Sequence, residues 1–151
     1  MSGSPGARRS LHIESDPDRL VELRAFVRDA VADFGGSQRV AEDLVQAVDE
    51  AACNVMLHGY RGKPGEIDIE ASLVDRAVQI RILDRAPAFD PTASPIGPIG
   101  RGVPLPTRPG GMGVGVRLVR TMADAVHHAA RPGGGNELTL VRSIDEPGEE
   151  D

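Results

Sequence analysis

The sequence predicts an α+β two-layer sandwich, a mostly antiparallel mixed sheet with helices on one face. Three observations lead there: two early segments repeat apolar residues at helical spacing, two later ones alternate apolar and polar residues, and two further strand-like segments close the chain. The order reads strand, helix, helix, strand, strand, long loop, helix, strand, strand, with no internal repeat. At 151 residues, 40% hydrophobic and 26% charged, the chain suits one soluble globular domain. A domain of that size buries roughly 68–70% of its unfolded surface, enough for a core without disulfides or a structural metal.

Residues 1–8 and 145–151 are polar and rich in Gly, Pro or acid, so both ends are expected to be disordered, leaving 9–144 as the domain. RSLHIES, from Arg9, reads as a short first strand. Asp16 then suits an N-cap with Pro17 at the first helical position, and Leu20, Leu23, Val27, Ala30, Val31 and Phe34 mark a helix stopped by Gly35-Gly36. Ser37 caps a second helix reaching about His58. GEIDIEASLV turns Ile67, Ile69, Ala71 and Leu73 to one side and its polar residues to the other. AVQIRILD repeats the pattern after the Asp75-Arg76 turn, so the two segments form an antiparallel hairpin.

Residues 86–111 hold seven of the twelve prolines and five glycines. So long a loop inside a compact domain is usually functional, for example a lid over a binding site. A third helix is expected from about Met112 to Asp124, and GGGN at 133–136 separates the last strands, AVHHAAR and ELTLVRS.

Composition removes several classes of function. A net charge of −6 argues against a broad nucleic-acid-binding face. The single cysteine, Cys53, excludes a disulfide framework and a Cys-based zinc site. No apolar run is long enough to span a membrane and the first residues lack a signal-peptide core, so a cytoplasmic protein is expected. Sixteen of the seventeen basic residues are arginine, and the one lysine, Lys63, sits in the turn-like RGKPGE. A P-loop or a eukaryotic-type kinase site needs lysine elsewhere, so any phosphate binding must use backbone amides, arginine or metal.

Three groups of residues can carry chemistry. On a helical wheel with Glu50 at zero, Val40, Leu44, Ala47, Val48, Ala51 and Val55 fall between about 60° and 160°, and Asn54 falls at about 40°. Glu50 and Asn54 are thus one turn apart on the flank of the buried arc, where they either share a ligand or form ordinary helix surface. Asp84 ends a strand and opens DRAPAFDP. A carboxylate there starts a turn, or it accepts from an exocyclic amine such as adenine carries and guanine replaces with a carbonyl. Gly110, Gly111, Gly113 and Gly115, in GGMGVGVRLV, open the third helix, and either serve tight packing or let a phosphate approach unpaired amides at the positive end of the helix dipole.

Together DEAACNVMLHGY, DRAPAFDP and GGMGVGVRLV resemble the N, G1 and G2 boxes of the GHKL ATP-binding fold, and in particular the bacterial anti-sigma factor serine/threonine kinases. The resemblance spans about residues 10–143; the HGY after Asn54 and the FDP after the G1 box are particular to that branch. It implies ATP and Mg²⁺ as cofactors, with Asn54 as the magnesium ligand, Glu50 as the base toward the acceptor hydroxyl, and Asp84 as the adenine contact. Gly110, Gly111, Gly113 and Gly115 become the phosphate-binding edge of the lid. The implied partners are a sigma factor, which the protein sequesters, and a STAS-type anti-anti-sigma factor, which it phosphorylates; a homodimer is also implied.

One position departs from the family pattern. Ala86 stands where the G1 box has glycine, so its methyl group would either crowd the adenine or meet a backbone conformation suited only to glycine. That leaves two functions open, an active kinase or a GHKL-fold module that only binds protein. Among the other candidates, His58 lies inside the apolar arc and reads as a packed histidine, Cys53 as a bystander, and Arg24 and Arg28 as a solvated face in preference to a face for a protein partner. His127 and His128 are adjacent on a strand and so point to opposite sides.

Overall fold

The computed structural model describes residues 8–87 and 122–145. It contains β1 (Arg8–Glu14), α1 (Leu20–Phe34), α2 (Gln38–Asn54), β2 (Glu66–Val74), β3 (Ala77–Asp84), β4 (Ala125–Ala130) and β5 (Asn136–Ser143). The strands form one sheet in the order β1-β2-β3-β5-β4, and all four described pairings are antiparallel. The expected two-layer α+β fold is therefore present. The disordered ends, most of the 86–111 loop and most of the third helix fall outside the described residues, as do Gly110, Gly111, Gly113 and Gly115.

Local sequence explains the element ends. The Asp16 side chain accepts from the Asp18 N–H at 3.0 Å, starting a single 3₁₀ turn over Pro17–Arg19 that leads into α1. Gly35 closes α1 with φ +95°. The Ser37 hydroxyl accepts from the Val40 N–H at 3.2 Å and starts α2. After Asn54 the helix widens into a π-helical turn, Val55–Gly59, closed by the Tyr60 N–H to the Val55 carbonyl at 2.8 Å. Arg61 and Gly62, both with positive φ, then stop it.

α2 is buried over a wider arc than its apolar pattern suggests. Ala41, Val45 and Ala52 are buried as well as the residues on the expected face, so the covered sector runs from about 40° to 220° on the wheel. The cause is a double contact, with the sheet on one side and α1 on the other. The π turn also shifts the helical phase, leaving His58 only partly buried and Leu57 exposed. His58 is therefore not the fully packed core residue that a continuous α-helix implies.

The core joins Leu23, Val27 and Val31 of α1 and Val40, Leu44 and Val48 of α2 to Ile67, Ile69, Ile80, Ile82 and Leu140 of the sheet. Arg24 and Arg28 are not simply solvated. Arg24 forms a two-pronged ion pair with Asp49 at 2.9 and 3.3 Å, and Arg28 forms one with Glu42 at 2.7 and 3.1 Å, so both bind α1 to α2. From the sheet side, Arg142 of β5 is buried and meets Asp43 of α2 at 2.7 Å.

The β2–β3 hairpin turns through Asp75 and Arg76 at φ +50° and +61°, a pair of left-handed residues matched to the strand twist. Neither residue favours that conformation as Asn-Gly does. Replacing Asp75-Arg76 by Asn-Gly is therefore expected to raise stability by about 1 kcal/mol in urea unfolding; unchanged or lower stability would show that the turn carries no strain.

Candidate functional site

The alternation of β3 turns Val78, Ile80 and Ile82 toward the helices, and the same phase turns Asp84 inward. Three apolar positions thus end in a carboxylate that is only 2% exposed. Burying a carboxylate is costly unless it is hydrogen-bonded, and the next strand supplies the donor. Asn136, opposite Asp84 in the β3–β5 register, donates from Nδ2 to Asp84 Oδ1 at 3.0 Å. The Ala86 N–H donates to the same oxygen at 2.8 Å.

A second ring of contacts fixes these groups. His128 Nε2 lies 2.9 Å from Asn136 Oδ1, which orients the amide, and Arg131 donates to the Asp84 carbonyl at 2.9 Å. Gly135, at φ +113°, packs so closely on that carbonyl that a Cβ there would overlap it. On the other side the Tyr60 hydroxyl accepts from the Arg85 N–H and donates to the Glu66 carbonyl, both at 2.7 Å. Tyr60 thereby ties the end of the π turn to the segment after Asp84 and to the start of β2.

Ala86 fits this arrangement without strain. Its φ is not among the positive values, and its methyl group is buried at 1% exposure. Of the two effects expected of alanine here, a backbone conformation suited only to glycine is not met. The residue is held in an Asx-type turn closed by its N–H on Asp84 Oδ1.

Asn54 is buried at 5% exposure, against its expected place just outside the covered arc, because α2 is enclosed on two sides. The amide oxygen of such a residue is a hard donor of the kind that suits Mg²⁺. Glu50, one turn earlier, is half-buried. Cys53 is half-buried too, and burial first, then Asp49 and Glu50, pushes its thiol pKa up, which suits an inert side chain.

Beside Asp84 a cleft of about 540 Å³ is lined by His58, Tyr60, Arg61, Lys63, Arg85 and Ala86 among others; Glu50, Asn54 and Asp84 themselves are not in its wall. Elsewhere in the described residues most arginines are ion-paired, including Arg19, Arg24, Arg28, Arg76, Arg81 and Arg142. Arg61, Lys63 and Arg85 form no ion pair with a carboxylate of the described residues, and together they gather positive charge at this opening of an acidic chain. Sequence reasoning singled out Glu50, Asn54 and Asp84 but missed Asn136, His128, Arg131 and Tyr60. Asn136 had a signal, since it continues the inward phase of Leu138 and Leu140 beyond the glycine turn.

A helix carrying an acid and a buried amide, laid on an antiparallel sheet whose central strand ends in a buried aspartate, is the architecture of a histidine kinase-like ATP-binding domain. The family described as Histidine kinase-like ATPase domain matches residues 13–142. The chain belongs to that family, within its branch of anti-sigma factor serine/threonine kinases. It is 33% identical over 106 residues to the serine/threonine-protein kinase BtrW of Bordetella bronchiseptica, covering 70% of this chain and 72% of that protein. It is 25% identical over 127 residues to the anti-sigma F factor of Clostridium acetobutylicum, covering 82% and 87%. In structure it is similar to the RsbU and RsbW domains of Rv1364c from Mycobacterium tuberculosis, with a TM-score of 0.62 at 21% identity, over 92% of this chain and 33% of that one. Among the described residues no helix is long and apolar enough to cross a membrane.

Burial raises the Asp84 pKa, against the opposing pull of Asn136, the Ala86 N–H and Arg131. A folded-state pKa above the unfolded one contributes stability that is full below the unfolded value and is lost as pH rises through the folded value. Asp84→Asn keeps an acceptor for Ala86 and Asn136 while removing the buried charge. Its melting temperature is expected to equal or exceed that of the parent near neutral pH, with the difference turning against the variant toward pH 4. A variant clearly less stable at neutral pH would contradict this account.

Proposed function

We propose that this chain is an ATP–Mg²⁺-dependent serine/threonine protein kinase that phosphorylates an anti-anti-sigma factor and, in alternation, sequesters a sigma factor in the cytoplasm. The observation that carries the proposal is the pair of buried polar groups, the braced carboxylate of Asp84 and the amide of Asn54 on the facing helix. The names of the relatives, anti-sigma F factor and serine/threonine-protein kinase, support the same reading.

In this reading each residue has a separate task. Asp84 accepts from the adenine amine, with Asn136 and the Ala86 N–H holding its other oxygen in place. Asn54 presents its amide oxygen to Mg²⁺, which neutralises phosphate charge when bound. Arg61, Lys63 and Arg85 give the opening beside the site a positive field. Glu50 orients the acceptor hydroxyl and receives its proton, a task that needs position more than a shifted pKa, because phosphoryl transfer passes through a loose transition state. Gly110, Gly111, Gly113 and Gly115 close over the phosphates as the lid edge, and two chains associate as a homodimer.

The test is transfer of label from γ-labelled ATP to a STAS-type antagonist in the presence of Mg²⁺. Glu50→Gln is expected to lower transfer by about 10²–10⁴-fold with ATP binding intact. Asn54→Ala is expected to abolish the magnesium-dependent part of nucleotide affinity. Absence of both labelled antagonist and an ATP-induced rise in melting temperature would reduce the protein to a binding module of the same fold.

A further inference from the structure

The face of the sheet turned away from the helices carries a second arrangement of polar groups, distant in chemistry from the nucleotide site. In the β1–β2 register His12 lies opposite Asp68, and Glu14 lies opposite Glu66. These four residues alternate onto one face, so the backbone alone assembles them as a square at the sheet edge. His12 Nδ1 is 2.8 Å from Asp68 Oδ1. His12 Nε2 is 3.2 Å from Glu14 Oε2 and 3.9 Å from Glu66 Oε1.

Charge bookkeeping makes this square unusual for the molecule. On the same face Glu70 and Glu137 are neutralised by Arg81, which lies between them on β3 at 2.5 and 2.9 Å. In the square, two glutamates oppose each other directly across the strands, an arrangement that is destabilising without a counter-charge. The β3 residue beside Asp68 is Leu83, which brings no charge, and Arg85, next to Glu66 in the continued register, forms no ion pair with it among the described residues. One imidazole is left to serve three carboxylates.

We propose that His12 Nε2, Glu14 and Glu66 bind one divalent transition-metal cation of the zinc class, with Asp68 fixing the imidazole through Nδ1. Zinc bonds of about 2.0–2.2 Å in a tetrahedron put ligand atoms about 3.3 Å apart, close to the 3.2 Å seen from Nε2 to Glu14 and within a small rotamer change for Glu66 at 3.9 Å. As the side chains stand, the residues whose ligand atoms all lie within 4.8 Å of one another are His12, Glu66 and Asp68, so Glu14 joins Glu66 around Nε2 only after a side-chain rotation. A carboxylate on Nδ1 of a ligating histidine fixes its tautomer and raises its basicity, which is the part Asp68 plays. Mixed nitrogen and oxygen donors favour Zn²⁺, Co²⁺ or Ni²⁺ over Mg²⁺ and Ca²⁺. The cation would clamp β1 onto β2 and relieve the Glu14–Glu66 repulsion.

Titration of the full chain with Zn²⁺, and with Co²⁺ read by its visible spectrum, tests this without nucleotide or Mg²⁺ present. One ion is expected per chain with a dissociation constant of the order of 1 μM, together with a zinc-induced rise in melting temperature. His12→Ala is expected to lose both effects, and Asp68→Asn to weaken binding by about 10–100-fold. Asn54→Ala should bind zinc like the parent, which separates this site from the nucleotide site. Binding no tighter than millimolar, or parent-like binding by His12→Ala, would overturn the proposal.

Discussion

The burial of one carboxylate organises this molecule. Asp84 ends the central strand on the helix-covered side, where a charge is disfavoured, and the surrounding elements are arranged to hold it there. Asn136 comes from the opposite strand, the Ala86 N–H from the turn that follows, and Arg131 from the end of β4. Gly135 allows the close approach of the two backbones, and Tyr60 brings in the helix that carries Asn54. The protein accepts a poorly solvated acid at neutral pH, a cost of the kind usually met where a ligand is recognised.

The rigidity of α2 is the second requirement, because Glu50 and Asn54 both depend on its position. Apolar packing holds its inner half, and three ion pairs hold it from the sides, Arg24–Asp49 and Arg28–Glu42 from α1 and Arg142–Asp43 from the sheet. The exposed pairs contribute at most about 1 kcal/mol each, so their main effect is orientation. Arg142 is different. It is largely buried, its Nε has no hydrogen-bond partner, and its loss would strand Asp43.

Much of this was legible in the sequence because periodicity and capping are local. Ser37, Asp16 and Gly35 marked helix ends, and the strict alternation from Glu66 to Asp84 set the hairpin and its faces. Of the candidate site, the motifs singled out Glu50, Asn54 and Asp84, and the structure buries Asn54 and Asp84. What escaped were relations between distant segments. Asn54 is buried because α2 is covered twice, a fact no single wheel contains. Asn136 and His128 act through a register between strands whose pairing periodicity alone does not reveal. The square of His12, Glu14, Glu66 and Asp68 is likewise a product of pairing and not of spacing. His58 was misplaced because the π turn breaks the helical phase.

The recognition role assigned to Asp84 is tested most directly by calorimetric titration of the parent and of Asp84→Asn with ATP and with GTP at fixed Mg²⁺. An acid that accepts from the adenine amine must reject a purine offering a carbonyl there, so the parent is predicted to prefer ATP by about tenfold or more, the effect of leaving a buried acceptor unsatisfied. The asparagine variant, still folded, is predicted to lose most of that preference. Equal affinity of the parent for both nucleotides, or an undiminished preference in the variant, would contradict the account.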